Sequence, residues 1–448
     1  MKFMSGIIMI LTILLLGITG CGDIGVPDAT TTTTTTASSS TNSTTTTSTT
    51  TTTNVSGNPD LTFGVNGKVV YNGGENEHGL SITIQSPDKI LVTGYGAARG
   101  SSKIITWRYH SNGATDETFG PNLDGKTAYP GGAGNTGNCI GIDASGKIVL
   151  TGHSSVDSTR GMIILRYDLN GNPDTTFGPD FDGKVIDPGS SDFGRAITTE
   201  ASGKIYVTGC TWEGANNDMV LWAYNSNGSP ETTFGSGGKV IYNAGFDDYG
   251  NAMAIDSDKI LVAGNTYNHT NGNMIIWRFN SNGSPDATFG TGGKVIYDGG
   301  YNDWAGSITM VSGKILVAGM SNNGYANNMA IWRYLSDGSL DTTFGTGGKV
   351  IYDSGTRESW GNSIAVDSSD KILVAGIHSD GSKNRMAIWR YSSEGAPDLT
   401  FGSSGEVVYS GGYDSAGYSL AVDSSDRVLV TGDIYNGSDM DMIIWRYK

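Results

Sequence analysis

The sequence predicts an all-β protein, a seven-bladed β-propeller whose blades each contain four strands. Three observations support this prediction. A Thr-Phe-Gly tripeptide recurs at a nearly constant spacing, a second marker keeps step with it, and each interval contains four short β-rich runs. Repeats of this length cannot each bury an apolar face alone, and they are typical of propellers and solenoids.

The two markers define the repeat. The tripeptide occurs seven times, with its phenylalanines 56, 58, 57, 55, 55 and 57 residues apart. The second marker is a tryptophan, or in one repeat a leucine, that usually begins a Trp-Arg-Tyr sequence. Together they fill residues 58–448 without a remainder, which predicts one domain. The phenylalanines are Phe63, Phe119, Phe177, Phe234, Phe289, Phe344 and Phe401, and the second marker is Trp107, Leu165, Trp222, Trp277, Trp332, Trp389 and Trp445.

The strands follow from composition within one repeat, residues 290–345. Four runs rich in Val, Ile, Tyr or Trp are separated by clusters of Gly, Asn, Asp and Ser. The first group of residues favours strands, and the second favours turns. No run is long enough for a helix. The predicted strands are Lys294–Tyr297, Ser307–Met310, Lys314–Gly319 and Met329–Tyr334.

A closed ring is favoured over a linear solenoid, because a solenoid needs atypical repeats at its ends. The first and last repeats keep both markers, and the chain ends one strand short of a complete repeat. We therefore expect Lys68–Tyr71 to supply the outermost strand of the last blade. The other strands of that blade are predicted at Leu420–Val422, Arg427–Gly432 and Met442–Tyr447.

The first twenty residues have the order of a signal peptide, with Lys2 ahead of an apolar run, Ile7–Leu16, and small residues before Cys21. The run is too short to span a membrane. The end of the segment is similar to the lipobox of bacterial lipoproteins. This resemblance implies cleavage before Cys21, a lipid on its sulfur and a location in the bacterial cell envelope. A chance cysteine in a cytosolic protein is the alternative.

Residues 21–57 are predicted to form a flexible linker. From Ala29 to Thr53 the chain is almost entirely Thr and Ser. Such a composition cannot bury enough apolar surface to offset the entropy lost on ordering. The linker is interpreted either as an O-glycosylated tether or as an unmodified spacer.

Charge and cysteine content exclude several classes of function. The formal net charge is −16, which disfavours binding to nucleic acid and to anionic membrane surfaces. Cys139 and Cys210 are the cysteines left after Cys21, and we expect free buried thiols more than a disulfide. The Gly-Lys sequences, such as Gly293-Lys294, lack the helix that a phosphate-binding loop opens. We therefore expect no cofactor and no metal.

The repeats resemble the delta-60 repeat family, whose units read Asp-x-Thr-Phe-Gly, Gly-Lys-Val, Gly-Lys-Ile-Leu-Val-Ala-Gly and Arg-Tyr. Residues 286–319 and 341–376 carry this pattern almost unbroken. The resemblance implies an extracellular or envelope propeller without a defined activity. The third repeat departs from it, with Ala223 where six repeats have arginine and Glu231 where aspartate precedes Thr-Phe-Gly.

Residues that recur in every repeat are interpreted as scaffold, because a site that acts once per molecule needs singular residues. The recurring arginines could form a basic ring for an anionic ligand. We favour instead an ion pair between each arginine and the aspartate before Thr-Phe-Gly, such as Asp286 or Asp341. The marker tryptophans are interpreted as blade core.

The variable residues lie in two sets of loops that should share one face. One set leads into the innermost strand of each blade, and the other joins the second and third strands. Their aromatic and histidine side chains are the candidate ligand-binding residues, and Trp304 and Trp360 are expected to be exposed. The alternative is that these rings pack between blades. The first set contains His78, Phe193, Tyr249, Trp304 and Trp360; the second contains Trp212, Tyr267, His269, Tyr325, His378 and Tyr435.

The favoured function is a binding module for a glycan or protein partner, because exposed rings beside carboxylates suit either ligand. An envelope polysaccharide lyase or hydrolase is the alternative. Its weak catalytic candidates are His78 and Asp248, with Glu77 beside them, but no local catalytic signature supports them. A structural surface protein without a specific ligand is the third possibility. The sequence leaves an enzymatic role open while favouring a binder.

Overall fold

The computed structural model describes residues 56–98, 100–130, 134–156, 159–187, 191–212 and 214–448. The predicted signal peptide, Cys21 and almost all of the linker lie outside these residues. The described residues belong to one compact unit, Asn54–Lys448.

The described residues form 28 strands in seven four-stranded antiparallel sheets, which confirms the predicted propeller. Blades 1 to 6 each use four consecutive strands, beginning with β2, β6, β10, β14, β18 and β22. The strands are β1 (Lys68–Tyr71), β2 (Asn76–Gln85), β3 (Lys89–Ala98), β4 (Ser101–Tyr109), β5 (Lys126–Tyr129), β6 (Thr136–Ile142), β7 (Ile148–Val156), β8 (Thr159–Tyr167), β9 (Lys184–Asp187), β10 (Phe193–Thr199), β11 (Ile205–Trp212), β12 (Asn217–Tyr224), β13 (Lys239–Tyr242), β14 (Asp248–Asp256), β15 (Lys259–Tyr267), β16 (Gly272–Asn280), β17 (Lys294–Tyr297), β18 (Asp303–Val311), β19 (Lys314–Asn322), β20 (Asn327–Tyr334), β21 (Lys349–Tyr352), β22 (Ser359–Val366), β23 (Ile372–Ser379), β24 (Asn384–Tyr391), β25 (Glu406–Val408), β26 (Ser415–Val422), β27 (Val428–Tyr435) and β28 (Met440–Tyr447).

The ring is closed through blade 7, as predicted. Its order is β26-β27-β28-β1, so the first strand of the chain pairs with the last, with Lys68 opposite Trp445. The first strands of neighbouring blades contact one another all the way around, including β2 with β26. Closure of this kind leaves only short sheet edges.

A short segment before β1 reinforces the closure. The backbone N–H of Gly57 donates to the carbonyl of Lys448, and that of Asp60 donates to the carbonyl of Arg446 (2.8 Å). The Asp60 carboxylate also meets the Arg446 guanidinium at 2.8 Å, with Asp60 1% and Arg446 2% exposed. Ser56 forms a bridge to Phe401, so the chain enters the propeller at the end of the blades that carries Thr-Phe-Gly.

The recurring arginines form the predicted ion pairs. In five blades the arginine Nε lies 2.7–3.0 Å from the aspartate before Thr-Phe-Gly, and Arg446 pairs with Asp60 in the closing blade. Each of these guanidiniums also lies 4.4–4.6 Å from the centre of the Thr-Phe-Gly phenylalanine ring. The arginines are therefore part of the scaffold. They are Arg108, Arg166, Arg278, Arg333, Arg390 and Arg446.

Blade 3 replaces this arrangement with a different one. Tyr206 lies opposite Ala223 in the β11–β12 ladder, where other blades pair a leucine or valine with arginine. Its ring centre is 5.7 Å from that of Phe234, and its hydroxyl donates to Glu200 (2.9 Å). The extra volume of the tyrosine thus compensates for the missing guanidinium.

The marker tryptophans belong to the core, as predicted. Five of them lie against a tyrosine at the end of the preceding blade's fourth strand, with ring centres 5.2–5.4 Å apart. We call these residues the outer tyrosines. They are Tyr71, Tyr242, Tyr297, Tyr352 and Tyr409.

Candidate functional site

The two predicted loop sets share one end of the blades, opposite the Thr-Phe-Gly end. We call it the variable end. Here a buried polar residue lies at or next to the start of the first strand of each blade. The next residue in the chain occupies the position at which the sequence predicts an aromatic or histidine side chain. The polar residues are Glu77, Asn135, Asp192, Asp248, Asp303, Ser359 and Ser415, none more than 2% exposed; the next positions hold His78, Thr136, Phe193, Tyr249, Trp304, Trp360 and Ala416.

The predicted aromatic set is largely buried. His78 and Tyr249 are 8% exposed and Trp360 is 9% exposed, while Phe193 and Trp304 are half-buried. The expectation that Trp360 is exposed is wrong. The physical reason is that the first strands begin earlier than predicted, so Trp360 lies inside the β22–β23 ladder, opposite Ile377, and not in a loop.

The carboxylates next to these rings fold the loops of the variable end. Oδ2 of Asp248 accepts the backbone N–H of Ala244 (2.8 Å), and Asp303 accepts that of Gly299 in the same way (2.6 Å). Glu77 does the same in blade 1. Each carboxylate thus closes the loop four residues before it. This recurrence indicates a structural role, because buried carboxylates are retained where they accept hydrogen bonds.

In four blades the residue before the polar position joins neighbouring blades through its side chain. Oδ1 of Asp247 accepts the backbone N–H of Asn217 in the preceding blade (2.8 Å), and Asp414 accepts that of Asn384 (2.8 Å). Asn302 and Asn76 make equivalent contacts with blades 4 and 7. Two aspartates and two asparagines at this end therefore hold neighbouring blades together.

Asp248 is the most strongly perturbed of these carboxyl groups. Burial, together with the charges of Asp218 and Asp247, raises the pKa of Asp248 from 3.8 to about 6. Because the folded-state pKa is above the unfolded value, the folded protein favours the protonated form. The stabilisation conferred by protonation is present below pH 4 and is lost as the pH rises through 6.

We expect Asp248→Asn to raise stability at pH 7, because the amide keeps an oxygen for Ala244 and removes the buried charge. The gain should be about 1–3 kcal/mol, and it should shrink toward zero at pH 4, where the native carboxyl is protonated. Thermal unfolding of both proteins at the two pH values measures this. A variant less stable than the native protein at pH 7 would show that the charge itself is needed.

His78 contacts a carboxylate other than the predicted one. Its Nδ1 lies 2.5 Å from Oδ2 of Asp433, across the seam between blades 7 and 1. The Tyr418 hydroxyl donates to the same oxygen (2.9 Å), and the Tyr95 ring stacks on His78 with ring centres 4.6 Å apart. Asp248 lies in blade 4, and the structure does not bring it to His78. Asp433 is 0% exposed and escaped the sequence analysis, since it is 355 residues from its partner.

Five exposed aromatic side chains are on the loops of the variable end. Tyr301 and Tyr413 are 53% and 49% exposed and occupy equivalent places in the loops entering blades 5 and 7. Both were missed. A repeated Gly-aromatic-Asp/Asn sequence, which Phe246 shares, was the signal that could have found them. The loops joining second and third strands add Trp212 (39%), Tyr267 (42%) and Tyr325 (90%).

We call these five exposed residues, Trp212, Tyr267, Tyr301, Tyr325 and Tyr413, the rim aromatics. Three of them belonged to the predicted set. Of the remaining predicted residues, His269 is exposed, Tyr435 is half-buried and His378 is 8% exposed.

Comparison with protein families supports the repeat assignment. A family profile described as "Domain of unknown function (DUF5122) beta-propeller" matches residues 85–119, 144–177, 200–234, 257–289, 312–344 and 368–401. Each match ends at or next to a Thr-Phe-Gly phenylalanine and includes the second and third strands of a blade. The chain is a β-propeller repeat protein. The loops that lead into the first strands of this propeller lie outside the matched segments.

Similarity to solved structures extends over most of the chain at low sequence identity. Extracellular domains 1–2 of Drosophila Semaphorin 1b are 10% identical over 87% of each chain, with a TM-score of 0.45. The polysaccharide lyase Uly1 is 10% identical over 84% of this chain and 91% of its own, with a TM-score of 0.46. Sqt1 from Chaetomium thermophilum is 9% identical over 84% and 97%, with a TM-score of 0.41. No curated protein matches the sequence.

Cys139 and Cys210 are free thiols, and burial raises the pKa of both. Within the described ranges, no three His, Cys, Asp or Glu side chains are grouped so that they could hold a metal ion. A search of the same residues for a helix long and apolar enough to cross a membrane finds none.

Proposed function

We propose that this β-propeller is a binding module of the bacterial cell envelope, lipid-anchored through Cys21, that recognises a glycan with its variable end. The observation that carries the proposal is the set of rim aromatics, five side chains exposed by 39–90% at one end of the blades. Exposed aromatic rings offer flat apolar surface for stacking, and they are enriched where proteins bind partners.

The arrangement of the rim suits a ligand with flat faces. The Tyr413 and Tyr435 ring centres are 5.7 Å apart, and Tyr301 lies against Gly324 in the loop that also holds Tyr325. These contacts fix the rings, so less side-chain entropy is lost when a ligand binds.

The net charge of the protein favours neutral ligands over acidic ones. The formal net charge of −16 opposes approach by acidic polysaccharides, so we expect a neutral glycan. The predicted linker supports the same proposal. Because Ser56 enters at the Thr-Phe-Gly end, a tether attached there would leave the rim aromatics at the opposite end of the blades.

Glycan binding is tested with protein carrying Cys21→Ser, applied to an array of neutral and acidic glycans. We expect binding to a neutral glycan, weakened at least tenfold by Tyr301→Ala/Tyr325→Ala. Leu123→Ala is the matched control, because Leu123 is 64% exposed at the Thr-Phe-Gly end. Binding that survives loss of the two tyrosines would contradict the proposal, and a rim that captures only polypeptides would replace the glycan with a protein partner.

A polysaccharide lyase or hydrolase is the second candidate, and the His78–Asp433 pair is the observation that favours it. A histidine held by a buried carboxylate is suited to proton transfer. The pair and Tyr418 are singular, because the equivalent positions in the other blades hold unrelated residues. The same glycans should therefore be assayed for cleavage. Cleavage that is lost in His78→Gln, while glycan binding persists, would assign the enzymatic role.

A further inference from the structure

A recurring frame holds each of the outer tyrosines. The ring lies against the tryptophan of the next blade. At four of the five outer tyrosines, a lysine at the start of that blade's fourth strand covers the ring or bonds to its hydroxyl. At Tyr352 the equivalent residue is Glu406, which accepts the tyrosine O–H (2.8 Å). Nζ of Lys349 donates to the Tyr297 hydroxyl (2.5 Å), and Nζ of Lys294 lies 5.0 Å from the Tyr242 ring centre. Contacts of a cation with a ring face and a hydroxyl are favourable when partly shielded from water.

The seam between blades 2 and 3 keeps this frame but lacks the tyrosine. Asp187 occupies the equivalent end of β9, while Trp222 and Lys239 are retained. Oδ2 of Asp187 accepts the Trp222 Nε1–H (2.7 Å). Among the described residues, Lys239 makes neither an ion pair nor a hydrogen bond through its ammonium group. It is therefore a cation without the ring that its counterparts have.

An open groove of about 540 Å³ lies at this seam. Its floor and walls include Asp187, Trp222, Lys239, Pro179, Phe181 and Pro230. The volume is in the range of sites that bind small organic groups.

One wall of the groove is a lengthened loop that occurs in two repeats. The connection from Gly178 to Lys184 is two residues longer than that from Gly235 to Lys239. The added length holds Phe181 at a φ of +55° and 68% exposed. The other copy runs from Gly120 to Lys126 and holds Leu123 in the same left-handed conformation, at a φ of +56°. A large apolar side chain kept in a left-handed conformation is uncommon. Of the two lengthened loops, only this one carries an aromatic ring at that position, and the ring lines the groove.

We propose that this groove binds a tyrosine side chain of a polypeptide partner, in the place that an outer tyrosine has in the other seams. Lys239 would contact the ring or its hydroxyl, as Lys349 contacts Tyr297. The Asp187 oxygen that does not bind Trp222 would accept the phenol O–H, and Phe181 would cover the ring. Trp222 is 2% exposed, so it supports the groove from below.

The charges of the groove suit a phenol better than a sugar or an aliphatic side chain. The ammonium of Lys239 gains most from a ring with a negative π face, and the Asp187 carboxylate gains from an acidic hydroxyl. A saturated sugar offers hydroxyls but no π face. The site is separate from the rim aromatics, so its failure would leave the glycan proposal intact.

The test uses the full-length protein and N-acetyl-L-tyrosinamide as the probe, with N-acetyl-L-leucinamide and cellobiose for comparison. We expect the tyrosine probe alone to bind, measured by calorimetry and by saturation-transfer NMR. Asp187→Tyr should weaken binding at least tenfold, because its own ring fills the groove. Lys239→Met should also weaken it, whereas Lys294→Met, at the same position of an occupied seam, should leave it unchanged.

Three results would overturn the proposal. They are the absence of binding by the native protein, unchanged binding in both Asp187→Tyr and Lys239→Met, and preferential binding of cellobiose. The Lys239→Met variant keeps the test valid if Asp187→Tyr does not fold, because Lys239 is partly exposed and its ammonium group makes no polar contact among the described residues.

Discussion

A chain that begins at Gly73 is expected not to fold cooperatively. It lacks β1, which completes blade 7, and it lacks Phe63 and Asp60, which are 0% and 1% exposed. Loss of a buried phenylalanine costs about 3–5 kcal/mol, and loss of one partner of a buried ion pair costs a similar amount. Together these losses approach the whole stability of a typical domain, about 5–15 kcal/mol.

Urea unfolding followed by tryptophan fluorescence measures this effect. The matched control is a chain that begins at Asn54, which retains the Gly57–Lys448 hydrogen bond and should unfold like the full-length protein. If the shorter chain unfolded cooperatively with a midpoint close to that of the control, closure by β1 would not be needed for the ring.

Arg333→Ala is expected to destabilise the protein by about 3 kcal/mol, the low end for breaking a buried pair. Arg333 is 3% exposed and lies 2.8 Å from Asp341, whose carboxylate would remain buried. The loss stays at the low end because Lys314 also contacts that carboxylate, at 2.9 Å. Hydrogen bonds from Thr343 and Lys314, together with the charge of Arg333, hold the pKa of Asp341 below its usual range.

The arrangement in blade 3 suggests a second substitution that should restore the stability lost in Arg333→Ala. Leu316 lies opposite Arg333 in the β19–β20 ladder, as Tyr206 lies opposite Ala223 in blade 3. Arg333→Ala/Leu316→Tyr should therefore recover at least half of the lost stability, whereas Leu316→Tyr alone should overpack the core and cost about 1–3 kcal/mol. A double variant whose loss equals the sum of the two single losses would refute the compensation.

The sequence predicts the fold of this protein better than it predicts the site, because the residues that determine the fold recur in seven repeats. The Thr-Phe-Gly and Trp-Arg-Tyr markers predict the number of blades, the number of strands and the closing strand. Where the pattern of one repeat is ambiguous, the other repeats show where its strands lie. The Arg–Asp pairs followed from the same recurrence.

Strand starts at the variable end were harder to predict. Asn302 and Asp303 have the composition of a loop. Nevertheless Asp303 is the first residue of β18, because its buried carboxylate accepts the N–H of Gly299. That displacement put Trp304 and Trp360 in the predicted loops, although both belong to strands.

Contacts between distant repeats could not be predicted from spacing. His78 and Asp433 meet only because the last blade adjoins the first. The loss of an outer tyrosine at Asp187 is visible in the aligned repeats, but the groove that accompanies it depends on the longer loop carrying Phe181. Sequence periodicity therefore describes what the blades share, and the structure is needed for what differs between them.

The closing segment also determines how the protein responds to force. A pull on the chain upstream of Ser56 reaches the Ser56–Gly402 and Gly57–Lys448 hydrogen bonds first, then the Asp60–Arg446 pair and the β1–β28 ladder. Except for the contact of Ser56 with Gly402 in blade 6, these contacts hold the start of the domain to its own last residues. A pull on the start of the domain is therefore opposed first by contacts in blade 7 and at its junction with blade 6.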